Sequence, residues 1–109
     1  MKRVLVLVLV VALAGIAGAV AIPAFAATKT VKIGDNFFKP RTVTVKRGTK
    51  VVWKWTGSAP HNVTVTKGPK KFHSKTQTSG SYKAIPHTKG TYHIVCTIHA
   101  GMEMTLKVR

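Results

Sequence analysis

The chain has 109 residues and a formal charge of +16, with 18 Lys and Arg against 2 Asp and Glu. That length holds one domain, and with Asp35 and Glu103 as its only acids a two-carboxylate glycosidase or a carboxylate-rich calcium or magnesium site is excluded. The lone Cys96 likewise excludes an intrachain disulfide framework and a multi-cysteine zinc site.

Residues 1–26 read as a secretory signal peptide. Met1-Lys2-Arg3 is a short positive start, Val4 to Val20 is apolar, Pro23 breaks a helix, and Ala24-Phe25-Ala26 is a small-x-small cleavage triplet. The apolar run, about 17 residues, is at the short end for a membrane span. A retained anchor is therefore the alternative that the triplet argues against. No cysteine follows the run, which excludes a lipoprotein. The expected mature protein is 27–109, exported to the periplasm, the medium or the cell surface. Without Lys2 and Arg3 it keeps 16 basic side chains against 2 acids, about +14 with neutral histidines. Such a field recruits acidic proteins or anionic membrane or wall surfaces, and export argues against nucleic acid. The basic residues are spread along the whole domain, so a solvated surface of mixed use is an equal reading.

The rest of the chain alternates with a period of two, the signature of half-buried strands. A weak strand is expected at 30–33. Val43 and Val45 alternate with Thr42, Thr44 and Lys46. Val51, Trp53 and Trp55 share one parity, and Lys50 and Lys54 the other. Val63 and Val65 give a strand over 62–66. A polar stretch, 67–78, reads as a surface loop, and a second weak strand is expected at 81–85. Tyr92, Ile94 and Cys96 share a parity, as do Met104, Leu106 and Val108. Gly- and Pro-containing turns fall between these segments, and no helical period occurs. The fold class is all-β, a small β-sandwich or barrel with a thin core that a bound metal would help to stabilise.

The chemistry lies near the C-terminus. Cys96-Thr97-Ile98-His99-Ala100-Gly101-Met102 places a thiol, an imidazole and a thioether on one strand-to-strand loop. This soft, mixed donor set suits copper, and two His and one Cys with a weak axial Met form an electron-transfer copper site. The loop supplies one His, so a second must come from elsewhere. His61 is the candidate, because it follows Pro60 and opens a strand. His73 lies in the polar loop, His87 in a turn, and His93 has the opposite parity to Cys96. The spacing leaves Met102 and Met104 both open as the thioether. Met104 fits the apolar parity of the last strand, and a ligand there would leave too little strand after it. Trp53 and Trp55 read as core aromatics. Asn62-Val63-Thr64 matches a glycosylation sequon, but a glycan there would obstruct the adjacent metal ligand.

Trp53, Pro60-His61-Asn62-Val63, Gly90-Thr91-Tyr92 and the Cys-His-Met loop, in this order, resemble the cupredoxins: plastocyanin, pseudoazurin and amicyanin. The likeness spans about 28–109 and implies a Greek-key β-sandwich holding one type 1 (blue) copper ion. It implies His61, Cys96, His99 and Met102 as ligands, Asn62 as a brace of the ligand loop, and a portal for electrons at His99. The stretch Asp35-Asn36-Phe37-Phe38, with Pro40, resembles the family's early strand and turn, whose phenylalanines pack in the core. Ala100 stands where many relatives have Pro, and the acidic patch of plant plastocyanins is absent. The resulting expectation is a monomeric, non-enzymatic carrier of single electrons, Cu(I)/Cu(II), whose redox partner has an acidic docking surface. The alternatives are copper sequestration or delivery without electron transfer, and a polyanion-binding surface protein.

Overall fold

A computed structural model describes residues 27–109, and the expected leader, 1–26, lies outside the described residues. Eight strands follow one another: β1 Thr28–Gly34, β2 Phe37–Lys39, β3 Thr42–Val45, β4 Lys50–Trp55, β5 Thr64–Lys67, β6 Ser81–Ala84, β7 Gly90–Val95 and β8 Glu103–Val108. They form two four-stranded sheets. Sheet I has the order β2-β1-β4-β6 and sheet II the order β3-β8-β7-β5. β1 runs parallel to β4, and β3 runs parallel to β8. The remaining pairs are antiparallel.

Alternation decides which side chains close the core, because successive residues of a strand face opposite sides. Val31 and Ile33 of β1 and Val51, Trp53 and Trp55 of β4 point inward from sheet I. Tyr92 and Ile94 of β7 and Met104, Leu106 and Val108 of β8 meet them from sheet II. The indole N–H of Trp53 crosses between the sheets and donates to the Met104 sulfur at 3.3 Å.

Three local expectations are corrected. Phe38 is buried, but Phe37, its neighbour on β2, is 47% exposed. Adjacent residues of one strand cannot both face the core, and the Phe37 ring lies instead over the bare Cα of Gly34 on the outer side of sheet I. The strand expected over 62–66 begins only at Thr64. Before it, the backbone pairs with the following loop: His61 with Gln77 through two bonds of 3.0 Å, and the Val63 N–H with the Ser74 hydroxyl at 2.9 Å. The stretch 67–78 is therefore not a free surface loop. Ser74 is buried, and Phe72 stacks among Trp53, Tyr82 and Tyr92 with ring centroids 6.0 to 6.3 Å apart.

Candidate metal centre

One end of the sandwich gathers the ends of β1, β4 and β7 with the loops that follow them. β7 delivers Cys96 inward, with the parity of Tyr92 and Ile94. The chain then turns sharply. The Cys96 N–H donates to the Met102 carbonyl at 3.0 Å, and the Met102 N–H donates to the His99 carbonyl at 3.2 Å. Gly101 sits at φ +80°, where an L side chain is strained, so glycine lets the loop close this tightly. His99 is carried on the loop half-buried, and Met102 returns to the interior.

His61 arrives from the other side and is fully buried. Its backbone is pinned to Gln77, and its carbonyl accepts the Trp55 indole N–H at 3.2 Å. Its Nδ1 lies 3.1 Å from Nδ1 of His99, which in turn lies 3.5 Å from the Cys96 sulfur. The ligand atoms of His61, Cys96 and His99 all lie within 4.8 Å of one another. Three sequence-expected residues from two distant stretches are thus brought together. The other histidines are elsewhere: His93 pairs with Glu103 at 3.0 Å on the outer side of sheet II, and His73 and His87 are exposed.

Two residues organise this cluster. Asn62 uses its whole amide. Its Oδ1 accepts the Thr97 N–H at 3.1 Å and the Thr64 hydroxyl at 2.8 Å, and its Nδ2 donates to the hydroxyls of Thr97 at 2.9 Å and Thr76 at 3.0 Å. The Asn62 backbone N–H points at the Cys96 sulfur, 3.5 Å away. The bracing by Asn62 therefore runs from the His61 segment to both the sulfur and the loop after it.

The second organiser is Asp35, which the sequence did not single out for a role at the site. It follows β1 and turns into Asn36, which takes a positive φ of 73°. Asn tolerates that conformation better than other non-glycine residues. The carboxylate accepts the N–H groups of Ala59 at 2.9 Å and Ser58 at 3.1 Å and lies 3.1 Å from His61 Nε2. The Ala59 N–H, then His61, then the Ser58 N–H hold its pKa down at about 2. A carboxylate can only accept, so it takes the Nε2–H and leaves the Nδ1 lone pair of a neutral His61 directed at His99 and Cys96. Gly57 is needed for this approach, because a Cβ there would collide with the Asp35 carboxylate. The available signal was scarcity: Asp35 is one of only two acids in the chain.

The donor set fits copper. Two imidazole nitrogens and a sulfur, two of the three side chains buried, converge within one ion's reach. Met104 is engaged by Trp53 between the sheets, whereas Met102 closes the loop that carries Cys96 and His99.

The comparisons with known proteins agree. Among solved structures, an oxidized variant of amicyanin is 25% identical with a TM-score of 0.67, covering 78% of this chain and 90% of that one. A purple cupredoxin from Nitrosopumilus maritimus is 21% identical with a TM-score of 0.67, covering 74% of this chain and 99% of that one. A copper-containing nitrite reductase from Thermus scotoductus SA-01 is 22% identical with a TM-score of 0.66 over 75% of this chain, but the match spans only 22% of that enzyme. No curated protein sequence matches. Residues 26–109 match the family described as copper binding proteins, plastocyanin/azurin family, and with a cupredoxin fold and this cluster of donors the chain belongs to that family.

Proposed function

We propose that the protein is an exported carrier of single electrons and not an enzyme, with one type 1 copper ion held by His61, Cys96, His99 and Met102. The observation that carries this reading is the convergence of His61 Nδ1, His99 Nδ1 and the Cys96 sulfur at the loop end of the sandwich. The engagement of the Met104 sulfur by Trp53 favours Met102 as the axial thioether.

Copper supplies a one-electron couple between Cu(II) and Cu(I). The chain's own part is rigidity and access. Asp35 and Gln77 fix the His61 ring and backbone, and Asn62 fixes the cysteine and its loop. Donors that keep their places in both oxidation states need little rearrangement, which keeps the barrier to transfer low. His99, half-buried on the loop, gives the short route to the surface. Around it Ile98 is 49% exposed, and Pro60 and Ala100 are exposed as well, an apolar rim for a redox partner. The positive field would steer a partner with an acidic docking surface.

The test is to add Cu(II) to the protein and record the visible spectrum. An intense thiolate-to-copper band is expected from the wild type, and a Cys96→Ser variant should be folded and colourless. Identical spectra from the two would remove Cys96 from the metal and end the proposal.

A further inference from the structure

The outer sides of the two sheets differ in kind. On sheet I the outward positions include Lys32 of β1, Lys39 of β2, Lys50 and Lys54 of β4, and Lys83 of β6. Lys32 lies directly between Lys39 on one side and Lys54 on the other in the strand register. Like charges placed directly opposite one another destabilise a sheet. No carboxylate relieves them: Asp35 is held by Ala59, Ser58 and His61, and Glu103 pairs with His93 on the far sheet. Sheet II shows Thr42, Thr44, Thr64, Thr66, Thr91 and Thr105 outward beside the His93–Glu103 pair, and its lysines are not opposed: Lys107 lies between Thr44 and Thr91, and Lys67 lies opposite His93.

The lysine row has an apolar margin. Phe37, on the same side of β2 as Lys39, lies with its ring over Gly34 and is 47% exposed as a residue. At the opposite edge, Ile85 follows β6 directly and is 48% exposed. We propose that the outer side of sheet I is a docking surface for an anionic lipid bilayer, its lysines on the headgroup phosphates and Phe37 in the interface beneath them. Ammonium groups interleaved with an exposed ring are the combination that anionic membrane interfaces retain. An acidic redox partner would dock where electrons pass, at the rim around His99. The transverse row of Lys39, Lys32 and Lys54 lies about 10 Å from Asp35 at 3.3 Å per residue, and Lys83 and Lys50 lie farther from that end in the register. A protein lying on this broadside keeps its donor cluster free at the end of the strands.

All eight strands lie within 27–109, so that segment carries the surface and is the material for the test. It is sedimented with vesicles of phosphatidylcholine, with and without phosphatidylglycerol. Binding is expected only with phosphatidylglycerol and should be reversed by salt. A variant carrying Lys32→Gln, Lys39→Gln and Lys54→Gln should bind about fivefold more weakly for each lysine removed. It should also melt at a higher temperature, because the opposed charges are gone. A control with the same charge removed elsewhere, Lys67→Gln, Lys89→Gln and Lys107→Gln, should stay several-fold tighter than that triple variant. Phe37→Ser should weaken vesicle binding and leave binding to soluble polyglutamate unchanged. Equal losses in the two triple variants would reduce the effect to net charge and overturn the proposal. So would failure to bind anionic vesicles. Capture by polyglutamate without capture by vesicles would assign the lysines to an acidic protein and overturn it too. None of these readouts depends on copper.

Discussion

The body of the sandwich and its metal end are held by different physics. In the body, apolar side chains from two sheets interdigitate, and the contact that crosses between the sheets is the Trp53 N–H on the Met104 sulfur. At the metal end the buried side chains include His61, Asn62 and Ser74, and cohesion comes from hydrogen bonds among residues far apart in sequence. The body therefore tolerates substitution by volume. The metal end depends on particular donors and acceptors, because a buried polar group left without a partner is costly.

That contrast can be broken most forcefully at Trp53. Trp53→Ala removes a fully buried indole from the body and should cost about 3–5 kcal/mol. Urea unfolding of the metal-free protein should show the loss, with copper binding failing only as the fold fails. Asn62→Ala attacks the other region. It should cost about 2–3 kcal/mol by the same measurement, since the partners of a satisfied amide are left unpaired. Unlike Trp53→Ala, it should alter the visible spectrum of the protein that remains folded.

A third experiment uses acid. The Asp35 pKa is lowered from 3.8 to about 2, so its contribution to stability is complete above pH 3.8 and is lost as the pH falls toward 2. An acid titration of the metal-free protein should show that loss across this window, and Asp35→Asn should flatten it. Persistence of the acid loss in the variant would place its cause in another group. The smallest effect is expected at Met104. Met104→Leu conserves volume in the body and should cost less than about 1.5 kcal/mol with an unchanged copper spectrum. Met102→Leu should shift the spectrum. The reverse pattern would exchange the two methionines.

The body was legible because period two leaves a trace in every strand. Val51, Trp53 and Trp55 are inward as their parity requires, and so are Met104, Leu106 and Val108. The errors arose where a residue's place depends on something other than its own parity. The two phenylalanines of β2 were expected in the core on the strength of a resemblance, although neighbours in one strand must separate. Phe72 was hidden because a single ring in a polar run carries no periodicity, and only the tertiary fold places it against Trp53. At the metal end the donors could be proposed from residue types and spacing. The contact between Asp35 and His61 joins loops 26 positions apart and leaves no local pattern.

The pairing of both acids with histidines has one more consequence. Any two copies of the chain present each other with almost unbroken positive charge. In dilute buffer they should hold one another at a distance, so under the proposed function passage of an electron between two identical copies would be slow and would quicken as salt is added. Charge alone would then favour traffic with unlike molecules over futile exchange among siblings.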